Sequence, residues 1–184
     1  MSELSPTERA ALLGIARGSI LGHLGVAPAP ALPASGSLAE ARGAFVTLHV
    51  GDALRGCVGT FRPEGSLAAT VARMAVSAAK EDPRFSPLRP DEIAELRVAV
   101  SVLTPPHRLD DRRAVKVGTH GVLVRRGWHR GALLPKVALE QGWDAETFLS
   151  RCCLKAGLPA RAWQEPETEV EVFEADEFGE GAES

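Results

Sequence analysis

The sequence predicts an α+β fold with mainly antiparallel sheets and helices packed on them. Three observations lead there. Runs of alternating apolar and polar residues come in pairs, at 44–61 and 121–135, each pair split by a glycine-containing turn. Helical spacing falls in separate blocks instead of alternating with the strands as βαβ units require. A length of 184 residues with 45% hydrophobic content suits one domain, or two small lobes sharing a core.

Each element has its own local cause. Ser5-Pro6-Thr7-Glu8 is a capping box with proline at the first helical position, and Leu13, Ala16, Ile20 and Leu24 recur at helical spacing, so a helix spans 6–23. Residues 25–37, GVAPAPALPASGS, lack periodicity and form an extended connector. AFVTLHV (44–50) and ALRGCVGTF (53–61) pair as a hairpin. A three-residue loop, Gly51-Asp52-Ala53, sets Val50 opposite Leu54, Leu48 opposite Gly56 and Val46 opposite Val58, giving one apolar face. The other face then places His49 opposite Arg55 and Thr47 opposite Cys57.

Ser66 caps a second helix with Leu67, Val71, Met74, Ala75 and Ala78 inward, ended by Asp82-Pro83. EDPRFSPL (81–88) is irregular, PDEIAEL (90–96) starts a short helix, and RVAVSVL (97–103) is a strand. Residues 107–118 fit no single pattern. A second hairpin turns near Gly127, and PKVALEQG gives a short helix. Asp144 caps a longer helix bearing Phe148, Leu149, Cys152 and Ala156, with one of Cys152 and Cys153 facing the core and the other its margin. EVEVF (169–173) is the last strand, and 174–184 is an acidic tail.

Charge is unevenly spread. Residues 164–184 hold nine acids and no base, whereas 1–163 carry 21 bases against 15 acids, or +6. The acidic end is either a solvated terminus or an electrostatic lid over a basic cleft. No concentrated Lys/Arg block and no tyrosine occur, so a nucleic-acid stacking platform is poorly supplied. No apolar run reaches the ~18 residues of a membrane span, and no basic-then-apolar leader pattern opens the chain, so a cytoplasmic location is expected. Three cysteines without CxxC spacing argue against a disulfide framework and a zinc knuckle. No GxxxxGK[ST], GxGxxG or GxSxG occurs, which leaves any cofactor open.

Candidate chemistry centres on LRGCVGTF (54–61). Cys57 can be a small core residue, a nucleophile or a metal ligand. The register turns it away from the apolar face, Arg55 can stabilise a thiolate there, and Gly56 and Gly59 let a ligand reach the backbone. A nucleophilic Cys57 implies thiol addition to an electrophilic carbon, with His49 or His120 carrying the proton. The irregular spacing of Cys57, His49 and His120 does not support a metal site. Asp82-Pro83-Arg84 is a structural turn or, through Arg84, an anion-binding segment. His120 is a loop hydrogen-bonder or a catalytic base, and Trp128 with His129 on a hairpin tip is a candidate partner-binding knob.

At LRGCVGTF the sequence resembles the AMMECR-one domain family, and the likeness runs on through GAFVTL, EDPRFSPL, VSVLTPP, GTHGVLV and GALLPKVALEQGWDAETFLSRCCLKAGL. It covers residues 5–173. The stand-alone chains of the family are similar to the AmmeMemoRadiSam system protein A, a name reflecting association with a Memo-like protein and a radical S-adenosylmethionine enzyme. The resemblance implies a two-lobed α+β domain over 1–173 with the signature near a groove between lobes. It carries Arg55, Gly56, Cys57 and Gly59, and Asp82, Pro83, Arg84 and Phe85, onto this chain as site segments. Lys136 stands where the family commonly has glutamine. The expected function is a component of a modification pathway beside those two partner classes, acting on an unknown small molecule. The alternative is a noncatalytic adaptor that docks a protein, or RNA, through the same groove.

Overall fold

A computed structural model describes residues 4–181. The elements in chain order are α1 (Pro6–His23), β1 (Ala44–Val50), β2 (Ala53–Thr60), α2 (Leu67–Lys80), β3 (Leu96–Leu103), β4 (His107–Arg108), β5 (Gly121–Arg126), β6 (His129–Leu133), α3 (Pro135–Glu140), α4 (Ala145–Lys155), β7 (Glu169–Phe173) and β8 (Ala175–Gly179). They form two sheets of four strands, ordered β2-β1-β3-β8 and β4-β7-β5-β6. The fold is α+β. The chain divides into two compact units, one of residues 1–103 with 176–184 and the other of 104–175.

In the first unit α1 and α2 cover one sheet face. Val46 and Leu48 of β1 and Val98, Val100 and Val102 of β3 share a core with Leu12, Ile15 and Ile20 of α1 and Val71, Met74 and Ala75 of α2. Ser5 and Glu8 cap α1 reciprocally, as their spacing predicts. The buried stripe of α1 is Leu12, Ile15, Ala16, Ser19 and Ile20, turned from the expected one, with Leu13 and Leu24 only at the margin. Residues 25–35 have no regular structure, and 90–95 form a 3-10 helix.

Two corrections concern this unit. The hairpin turn holds two residues, because Val50 pairs with Ala53 and His49 with Leu54. A bulge then leaves Arg55 unpaired and restores the expected register, with Leu48 opposite Gly56, Thr47 opposite Cys57 and Val46 opposite Val58. The extra residue reconciles a short turn with a continuous apolar face. His49 therefore faces Leu54, not Arg55. The second correction is at the acidic end, where 175–179 form β8 beside β3. Bases of α1 neutralise it: Arg9 pairs with Asp176 at 3.1 Å and Arg17 with Glu180 at 2.6 Å. Phe178 adds an apolar contact to the core.

The second unit packs α4 against β5 and β6. Val122, Val124, Val170 and Val172 meet Phe148, Leu149, Cys152, Cys153 and Trp163. Both vicinal cysteines are fully buried, so neither occupies a margin. Burial pushes the Cys152 thiol up to about 12 and raises that of Cys153 as well. Among the described residues no helix is long and apolar enough to cross a membrane.

Candidate functional site around Cys57

β2 is an edge strand, so alternate backbone N–H groups point away from β1. The N–H of Cys57 is one of these, and it donates to Asp82 Oδ2 at 2.9 Å. That leaves Thr47 and Cys57 as a non-hydrogen-bonded cross-strand pair, the arrangement in which side chains stand closest. Thr47 Oγ1 donates to Cys57 Sγ at 3.3 Å. The sulfur is half-buried, while Thr47 is buried.

Asp82 reaches the strand because Asp82-Pro83 stops α2 and the chain turns back. Phe85 N–H donates to the Asp82 carbonyl at 3.1 Å, and Leu88 N–H, on a buried leucine, donates to Ala79 O at 2.7 Å. The Asp82 carboxylate is only 3% exposed and accepts four hydrogen bonds. Besides the Cys57 N–H these come from Arg84 N–H at 3.1 Å, Arg84 Nε at 2.9 Å and Arg84 Nη2 at 2.7 Å. The Arg84 guanidinium first, then the two backbone N–H groups, hold this carboxyl well below the usual carboxylate range against the opposing effect of burial. Arg84 is raised in turn, chiefly by Asp82 and to a smaller extent by the nearby Cys57. Its side chain is 54% exposed and lies against the Phe85 ring at 5.3 Å. Asp82-Pro83-Arg84 is thus a turn, and its carboxylate joins a solvent-facing guanidinium to the Cys57 backbone.

The other sequence-derived candidates have structural occupations. Arg55, freed from the ladder by the bulge, grips Glu92 with Nε at 2.7 Å and Nη2 at 3.1 Å and donates to the carbonyls of Ser86 and Pro87 at 2.6 and 3.2 Å. It fastens the segment after α2 to the edge strand. Gly56 is required because a Cβ there would run into the Ala78 carbonyl of α2. Gly59 lies under the Phe45 ring, which a Cβ would overlap, and Phe45 stacks edge-to-face on Phe61 at 5.5 Å. Both glycines admit protein groups of this same chain. His49 shares the β1 face of Thr47 by alternation and pairs with Leu54 and Arg97.

His120 belongs to the second unit, where its Nδ1 accepts the Lys116 N–H at 3.2 Å and burial lowers its pKa. Among the described residues no three His, Cys, Asp or Glu side chains gather closely enough to hold a metal ion. Thr47 is the site residue that sequence reasoning passed over, although its place opposite Cys57 was readable from the register.

The comparisons with known proteins agree with this architecture. The family profile described as AMMECR1 matches residues 13–178. A protein of Methanopyrus kandleri is 47% identical over 157 residues, covering 80% of this chain and 76% of the relative. One of Methanothermobacter thermautotrophicus is 44% identical over 185 residues, covering 96% of each. The crystal structure of an uncharacterized protein from Pyrococcus horikoshii superimposes with a TM-score of 0.87 at 37% identity, covering 94% of this chain and 91% of that one. With the profile spanning nearly the whole chain and relatives more than two fifths identical over the aligned residues, this protein belongs to the AMMECR1 family.

Proposed function

We propose that the chain is a thiol-bearing component of a modification pathway, working beside a Memo-like protein and a radical S-adenosylmethionine enzyme, with Cys57 as the reacting group. The observation that carries this reading is the buried Asp82 carboxylate, which accepts from both the Cys57 backbone N–H and the Arg84 guanidinium and so joins a cation to the residue that bears the half-buried thiol. Thr47 Oγ1 donates a hydrogen bond to the same sulfur, which fixes where it points. The reaction is addition to an electrophilic carbon: the S–H proton leaves to a base, the sulfur lone pair forms the S–C bond, and the electrons displaced from carbon go to its heteroatom.

Arg84 is the cation, Asp82 and Thr47 position the pair, and His49, on the same strand face as Thr47, is the proton carrier. Arg55, Gly56 and Gly59 shape the strand that carries Cys57. The alternative is a noncatalytic adaptor that docks a partner protein through the same segment.

Intact-mass measurement on protein purified from its own cells tests the proposal. A covalent adduct or a turnover activity is expected, lost in Cys57→Ser, reduced in His49→Ala and retained in Cys152→Ser. Protein that carries no adduct and whose Cys57→Ser variant supports the pathway fully favours the adaptor.

A further inference from the structure

The tip of the β5–β6 hairpin presents a side chain with no use in the fold. Arg126 pairs with His129, leaving Gly127-Trp128 as a two-residue turn. Gly127 has φ +57° and Trp128 does not have positive φ, the glycine-first geometry of a tight hairpin. Short polar residues serve the second turn position well. Here it holds an indole that is 98% exposed, the most exposed large apolar side chain among the described residues. An indole buries 150–250 Å² when it docks, and tryptophan and arginine are the residues most enriched where protein interfaces concentrate their binding energy.

The charges behind the tip specify what docks. Arg125 is answered by Glu171 at 2.7 Å and Glu169 at 3.4 Å, and Arg126 by Glu165. Arg130 stands directly opposite Arg125 across the hairpin, an unfavourable like-charge pairing, and its side chain has no ion pair or hydrogen bond with any described residue. Arg125, Arg126 and Arg130 line a hollow of about 360 Å³ together with Glu167 and Glu169. Arg125 and Arg126 are already answered by carboxylates, which leaves a single free cation among the described residues lining it, too few for a run of nucleic-acid phosphates. One uncompensated cation beside one exposed indole fits a different occupant.

We infer that Trp128 and Arg130 form the anchor of a docking surface for a partner protein that offers an apolar pocket for the indole and a carboxylate for the guanidinium. The surface belongs to the second unit and is independent of the Cys57 chemistry.

Photo-crosslinking in living cells tests this, with benzoylphenylalanine in place of Trp128 and the same group at exposed Val26 as the control. Crosslinked residues are mapped by mass spectrometry, and affinity is then measured with the purified partner. The expected result is one protein captured from position 128 and not from 26, with the crosslink beside an Asp or Glu. Trp128→Ala should then weaken binding about thirty-fold or more, and Arg130→Glu should weaken it until that partner carboxylate is reversed to arginine. The inference is overturned by no capture above the Val26 control, by capture of nucleic acid or of a second copy of this chain, by unchanged affinity of Trp128→Ala, or by failure of the charge reversal to restore binding.

Discussion

The two hairpins begin from the same turn and arrive at different chemistry. Gly51-Asp52 and Gly127-Trp128 each place glycine first at φ +57°. Each hairpin also meets a helix through a glycine, Gly56 under Ala78 and Gly131 under Ala156. They differ by one residue. The β5–β6 ladder runs unbroken from Arg126 opposite His129 to Val122 opposite Leu133, whereas the β1–β2 ladder breaks at Arg55. The bulge takes Arg55 out of the alternation and sends it to Glu92, which draws the segment after α2 along the edge strand and Asp82 onto the Cys57 N–H. A regular hairpin leaves what the fold does not need at its tip; a bulged one gathers chemistry along its strand.

The largest expected effect probes the shared feature. Gly56→Ala overlaps a helix backbone carbonyl and should cost about 3 kcal/mol in denaturant unfolding, the upper range for overpacking. Gly131→Ala, whose Cβ would lie 2.8 Å from Ala156 N, should cost less, about 1–2 kcal/mol. Equal losses would mean that the two helices press equally hard.

Next comes the difference between the arginines. Arg55→Ala breaks a pair whose side chains are only 14% and 17% exposed and should cost about 2 kcal/mol, short of a fully buried pair. Arg130→Ala should stay within about 0.5 kcal/mol, because no described group pairs with it. A comparable cost for both would break the comparison.

Asp82 supplies a pH signature. Its pKa is depressed in the folded chain from an ordinary 3.8, so the stability it contributes is complete above that value and is lost as pH falls toward the folded pKa. Asp82→Asn should be less stable than the parent by about 1–2 kcal/mol at neutral pH, with the gap closing below the ordinary value. A gap constant down to pH 2 would show that the carboxylate charge has no part in holding the strand. The smallest effect is at the second tip: Trp128→Ala should leave unfolding unchanged within about 0.5 kcal/mol.

Much of this was legible locally. The α1 cap, the Ser66 and Asp144 caps and the register from Leu48 outward follow from neighbours in sequence. The bulge does not, because alternation assumes equal residue numbers on both strands, and the position of Arg55 is decided by Glu92. Likewise β8 looks like a solvated acidic run until Arg9 and Arg17 are brought beside it by the fold. Glycine within a strand announced a close approach at 56 and 59 without saying what approaches, and in both cases it is the protein itself. LRGCVGTF and EDPRFSPL each drew attention as candidate segments, but the link between them is one carboxylate on one backbone N–H, which no spacing encodes.

The most direct test of that link is the alkylation rate of the native protein by iodoacetamide at neutral pH and low salt, read by peptide mapping. The buried Cys152 and Cys153 should stay unlabelled, so the signal reports Cys57 alone. Arg84→Gln should slow that labelling, and added salt should slow the parent in the same direction, since the guanidinium is half exposed. A Cys57 that labels at the same rate with or without Arg84, or does not label at all, would contradict the account.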